Sequence, residues 1–129
     1  MSGRMKILIY GEEPECRETE QFVRAHPDLK GKPPECCYVT CHDDLLQSLL
    51  EWHPCLTIIL RNGALGMEGV FAVRDNHPES VVFWFSDDHG FGMMSHRLDC
   101  EYFAVKPVTC EKLHRAFHRC AHVGVSFET

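Results

Sequence analysis

The stretch EYFAVKPVTCEKLHRAF, Glu101 to Phe117, contains a complete strand, turn and helix start. Tyr102 to Val105 is a short apolar run of strand composition, and Lys106-Pro107-Val108 opens the helix that follows it. Thr109 offers a side-chain oxygen to cap that helix. Leu113, Ala116, Phe117 and Cys120 recur at i, i+3, i+4 and i+7, the spacing of a helix with one face on a sheet.

Upstream, the same alternation of short apolar runs and longer amphipathic stretches recurs, so five βα units can be counted. The expected strands are Lys6 to Tyr10, Cys36 to Cys41, Leu56 to Leu60, Val81 to Phe85 and Tyr102 to Val105. Four are continuously apolar, as strands covered on both faces should be, and the second is mixed enough to suit an edge. The first helix is expected to start at Pro14, turn Phe22 and Val23 inward, and end near His26-Pro27. Asp43 or Asp44 should cap the second, with Leu45, Leu46, Leu49 and Leu50 in one stripe. Met67 to Asn76 gives a third, and Phe91 to Leu98 a fourth that has Gly90 and Gly92 at its start. Residues 27–35 read as a stiff loop carrying Lys32-Pro33-Pro34. The fold predicted is a flavodoxin-like (βα)5 doubly wound α/β sandwich with a parallel sheet in the order 2-1-3-4-5. One domain spans residues 1–123, followed by a tail at 124–129.

The 129 residues carry 13 Lys and Arg against 19 Asp and Glu, a formal charge of −6. No basic cluster stands out, so direct nucleic-acid binding is not expected. The longest apolar runs fall far short of the roughly 20 residues that span a bilayer, and Met1 to Tyr10 lacks a signal-peptide core; a cytoplasmic protein without membrane contact is expected. The eight cysteines show no repeated spacing and read as reduced thiols, some of them buried.

In an open parallel α/β sheet, ligands approach the carboxyl ends of the strands. The residues there are Gly11-Glu12-Glu13, Arg61-Asn62-Gly63, Ser86-Asp87-Asp88 and Lys106-Pro107-Val108. With these in view, the chain resembles the receiver domain of bacterial two-component response regulators, especially the subgroup found ahead of LytTR-type DNA-binding domains. The resemblance covers residues 5–123. It rests on the opening MKILIYGEE, the GMEG turn at Gly66 to Gly69, and the Glu101 to Phe117 stretch. It implies two acids after the first strand that hold Mg²⁺, a phosphate-accepting aspartate after the third, a hydroxyl after the fourth, and a lysine followed by a cis proline after the fifth. By position, Glu12 matches one acid, Ser86 the hydroxyl, Lys106 the lysine and Pro107 the proline. The other acid position holds Gly11. The phosphoacceptor position falls on Leu60 counting from Pro54, or on Arg61 counting back from Gly66.

Neither Leu60 nor Arg61 can carry an acyl phosphate, and one glutamate in place of three acids removes most of the charge that would hold Mg²⁺. If Arg61 points inward, its guanidinium can pair with Glu12 and replace the switch with a strut; if outward, it is simply solvated. Asp87 and Asp88 read as loop and capping residues. The first expectation is therefore a non-enzymatic, cofactor-free receiver that signals through contacts with a protein partner, or with a second copy as a homodimer. By resemblance the contact face is the fourth helix, fifth strand and fifth helix, with Met93, Met94, Arg97, Phe103, Lys112, Arg115 and Arg119. Phe103 holds the aromatic position that swings between rotamers in the family.

The alternatives are a receiver phosphorylated on a non-aligned acid such as Asp87 with Mg²⁺, and a metal or redox sensor built on the His and Cys surplus. For the latter, Cys110, His114, His118 and His122 fall on one helix stripe, although Arg115 and Arg119 beside them would repel a cation. Cys37, Val39 and Cys41 read as one packing face of the second strand. No Gly-x-Ser-x-Gly elbow, P-loop or Gly-x-Gly-x-x-Gly is present, and Glu12 and Glu13 stand where a nucleotide phosphate would need bare amides.

Overall fold

The computed structural model describes residues 5–26, 33–88, 90 and 100–122. The elements run β1 (Lys6–Tyr10), α1 (Glu13–Ala25), β2 (Glu35–Val39), α2 (His42–Glu51), β3 (Leu56–Ile59), α3 (Gly63–Asn76), β4 (Val81–Ser86), β5 (Tyr102–Val105) and α4 (Cys110–His122). Helix α4 is the fifth helix expected from the sequence. The expected fourth lies outside the described residues, together with Met93, Met94, Arg97, residues 27–32 of the expected loop, and the tail.

The five strands form one parallel sheet in the order β2-β1-β3-β4-β5, as the apolar runs predict. Alternate side chains leave a strand on opposite faces, so the sheet feeds two cores. Ile7, Ile9, Ile58, Phe83 and Phe85 meet Cys16 and Val23 of α1 and Leu113, Ala116, Phe117 and Cys120 of α4. Leu8, Tyr10, Ile59, Val82 and Trp84 meet Leu45 and Leu49 of α2 and Val70 and Val73 of α3. Strand β2 is an edge, and it is the mixed one.

Several expectations change in detail. Strand β2 starts at Glu35 and stops at Val39. Cys36 and Tyr38 pack against the α1 side and Val39 against the α2 side, whereas Cys37 and Cys41 are exposed, so the expected Cys37-Val39-Cys41 packing face is corrected. Helix α2 begins at His42 behind an extended Cys41 and has no side-chain cap; Asp43 and Asp44 sit within its first turn, where acids favour the helix dipole instead. Leu50, expected in the apolar stripe, is exposed. Helix α3 starts at Gly63, four residues before the expected Met67. Thr109 does cap α4, its Oγ1 accepting the Lys112 N–H at 3.1 Å. Among the described residues no helix is long and apolar enough to cross a membrane.

Candidate functional site

The carboxyl ends of β1, β3, β4 and β5 bring together the residues singled out from the sequence. Gly11 is buried, and its N–H donates to the Val39 carbonyl at 3.2 Å. A Cβ at this position would stand 2.7 Å from Leu60 Cβ, so the side chain that is missing at 11 has its space taken by the one at 60. Leu60 continues the β3 ladder by donating its N–H to the Tyr10 carbonyl at 2.7 Å, and its side chain is 1% exposed. An apolar leucine thus stands at the base of the cavity.

Arg61, next in the chain, turns toward β2. Its guanidinium lies over the Tyr10 ring at 5.4 Å, donates to the Thr40 carbonyl, and comes within 3.8 Å of Glu12. The Glu12 side chain is 71% exposed, so that ion pair is a loose one. Burial pushes the Tyr10 phenol up, against the opposing pull of the Arg61 charge.

Ser86 is buried, and its Oγ accepts the N–H of Gly63 at 3.2 Å and of Asp88 at 3.4 Å. Gly63 has φ of 54°, a left-handed conformation that glycine adopts without penalty, which lets α3 begin against the Ser86 hydroxyl. Asn62 Oδ1 accepts the Asp87 N–H at 3.0 Å, and the Asp88 carboxylate accepts the Gly90 N–H at 2.8 Å. Asp87 is thus held through its backbone N–H, and the Asp88 side chain makes a local contact two residues on.

Lys106 donates its N–H to the Ser86 carbonyl at 2.8 Å, and the Lys106-Pro107 peptide is cis. Its ammonium faces Glu15 of α1, with Nζ 2.8 and 3.0 Å from the two carboxylate oxygens. Glu15 was not among the residues singled out from the sequence. It is separated from Lys106 by most of the chain, and only a view of α1 laid along β1 could have found it. A cavity of about 150 Å³ remains between Glu12, Glu15, Leu60, Arg61, Asn62 and Lys106.

This donor set does not suit Mg²⁺, which demands near-octahedral oxygen ligands. Glu12 faces a guanidinium, Glu15 an ammonium, and Gly11 and Leu60 beside them bring no side-chain oxygen.

Of the expected contact face, Phe103 packs edge-on against Trp84, with centroids 5.3 Å apart at 82°, which places its ring on the core. Lys112 turns its ammonium to the Val105 and Pro107 carbonyls at 2.5 and 2.9 Å. Arg115 pairs with Glu111 one turn away, and Arg119 is exposed. The sequence also gave no sign of Trp84 as a site residue. Its Nε1 donates to the Arg61 carbonyl at 3.0 Å, and the indole passes so close to Gly66 that a Cβ there would lie 2.3 Å from Nε1.

On α4, His114 and His118 stack nearly parallel at 6.4 Å, and His26 stacks on His114 at 5.4 Å. Stacked rings do not converge on a common point, and no group of three or more metal-ligating side chains occurs among the described residues.

No protein-family model matches the sequence, and no curated protein matches it. Solved structures do. The signal receiver domain of an HD domain-containing protein from Pseudomonas fluorescens Pf-5 superposes with a TM-score of 0.73 at 15% identity, over 93% of this chain and 96% of that one. The REC domain of AraT, a response regulator from Geobacillus stearothermophilus, gives 0.71 at 16% identity, over 95% and 96%. A LuxR-family DNA-binding response regulator from Staphylococcus aureus gives 0.68 at 19% identity, over 89% and 97%. At such identities the likeness speaks for architecture, and the five-stranded order 2-1-3-4-5 agrees with it. The chain has the fold of response-regulator signal receiver domains.

Proposed function

We propose that this is a degenerate receiver of the LytTR-associated kind, a non-enzymatic module that signals through protein contacts without phosphoryl transfer. The observation that carries the reading is the base of the cavity. Leu60, 1% exposed, is pressed against Gly11, while Arg61 and Lys106 each face a glutamate. An acyl phosphate needs a carboxylate in line with an incoming phosphoryl group. The residues at both candidate acceptor positions have none, and of the two acids that would hold Mg²⁺ after the first strand only Glu12 is present, Gly11 standing in place of the other.

The contact face of the reading is the one that includes β5 and α4, with a protein partner or a second copy in a homodimer. Arg115 and Arg119 are exposed there. Phe103 is seated against Trp84, which supports a face fixed in one state.

Incubation of the full chain with acetyl phosphate and Mg²⁺, followed by intact mass measurement, tests the proposal. The expected spectrum is unchanged. A stable increment of about 80 Da, the mass of an added phosphoryl group, would overturn it and favour phosphorylation of an acid such as Asp87.

A further inference from the structure

We propose that Glu15 is a built-in counter-anion for Lys106, a latch that fastens the first turn of α1 to the loop after β5 and holds this rim of the sheet in one arrangement. The inference deepens the reading of the pocket as one that receives no phosphoryl group, because the ammonium already has an internal anion. Nζ lies 2.8 and 3.0 Å from the two Glu15 oxygens, and the Lys106 side chain is only 13% exposed against 38% for Glu15. An ammonium so far withdrawn from water requires a partner. Glu12, the other carboxylate on the cavity wall, is directed to Arg61 at 3.8 Å. The two cations of the wall therefore have separate anions, and the wall is balanced in charge.

Each side of the latch is anchored. Glu15 sits in the first turn of α1, where free backbone N–H groups and the helix dipole favour a carboxylate. The turn is itself tied to the sheet, since the Cys16 side chain is buried in the core beneath it. On the other side, the Lys106 N–H is held by the Ser86 carbonyl at 2.8 Å, and Lys112 of α4 grips the carbonyls of Val105 and Pro107. The contact consequently joins α1 to β4, β5 and α4 across 91 positions of sequence.

The test is amide hydrogen exchange of the full chain at residues 12–16 and 105–109, comparing the wild type with Glu15→Gln, Lys106→Met, the double variant and the reversed pair Glu15→Lys with Lys106→Glu. Either single substitution should speed exchange in both segments by about two- to fivefold, the range for a partly exposed ion pair, with β3 and β4 unchanged. The double variant should exchange no faster than the singles, and the reversed pair should move back toward the wild type. In the wild type itself, raising salt from about 0.05 M to about 1 M should speed the same two segments. Exchange unmoved by either single substitution, or additive effects in the double variant, would overturn the latch. The phosphorylation experiment fails separately: a mass increment alongside these exchange effects would sink the proposed function and leave the latch standing, while an unchanged mass with unmoved exchange would do the reverse.

Discussion

The two ends of the sheet hold their polar groups in different ways. At the amino end, Thr57 and Ser80 share a buried hydroxyl hydrogen bond of 2.9 Å. The Glu101 carboxylate accepts the Val82 N–H at 2.7 Å and faces Arg74 at 3.3 Å, while Arg74 also reaches the carbonyls of Pro78 and Ser80. At the carboxyl end, the pairs Arg61–Glu12 and Lys106–Glu15 reach from side chain to side chain around a cavity. The amino-end carboxylate completes the backbone ladder, so its removal strands a main-chain donor. The carboxyl-end acids restrain loops, and their removal strands none.

The largest effect is expected where the carboxyl end is jammed against the core. In Gly66→Ala the new Cβ would stand 2.2 Å from the Arg61 carbonyl and 2.3 Å from Trp84 Nε1. Overpacking costs about 1–3 kcal/mol, and loss of the Trp84 hydrogen bond about 1 kcal/mol more. Alanine's better helix propensity returns about 1 kcal/mol. A net loss of about 1–3 kcal/mol in urea unfolding is the expected result; a variant as stable as the wild type would show that the indole has room to move.

A pair of substitutions sharpens the comparison directly. Glu101→Ala leaves the Val82 N–H without its acceptor and Arg74 without its carboxylate, a loss of about 2 kcal/mol. Glu12→Ala removes only a loose pair at 3.8 Å and should stay within about 0.5 kcal/mol of the wild type. Equal losses in equilibrium unfolding would erase the distinction between the two ends.

The architecture was legible because the sheet is covered on both faces, so each central strand must be a continuous apolar run. The fully buried run of β4, Val81 to Ser86, and the Thr109 cap illustrate how local signals suffice. The start of helix α3 is hidden in the sequence because glycine normally opposes a helix. Here Gly63 supplies a left-handed turn beside Ser86, and Gly66 makes room for Trp84, a residue nearly twenty positions away. The pocket positions could be placed from the loop ends, yet Glu15 could not be paired with Lys106 from sequence, since their contact depends on how α1 lies across the sheet. The direction of Arg61 is not legible in the sequence for a related reason: its partners, Tyr10 and Thr40, belong to other strands' ends.

The smallest expected effect uses two buried thiols as reporters of the two ends. Cys16 lies beneath the carboxyl-end loops, 3.5 Å from where a Cβ on Gly11 would be, and burial pushes its thiol up to about 12. Cys120 is also pushed up to about 12, mainly by burial and further by the nearby charge of Glu101 at the other end. In the unfolded chain a thiol ionises near 9.0. Each folded thiol therefore contributes stability that is full below pH 9 and declines as pH rises toward about 12, so the melting temperature at pH 10 should lie below that at pH 8. Below pH 9 both thiols stay protonated and shielded, and modification by a thiol reagent waits for local opening. Exposed Cys37, Cys41 and Cys110 should react first. Among the two buried sites, Cys16 should follow before Cys120, and added salt should hasten Cys16 more than Cys120, because ion pairs alone restrain the loops above Cys16 whereas at the opposite end the Glu101 carboxylate, paired with Arg74, is also held by the Val82 N–H. Equal labelling rates with equal salt response, read by mass spectrometry of the modified peptides, would mean that the two ends open together and that the charged pairs contribute nothing of their own.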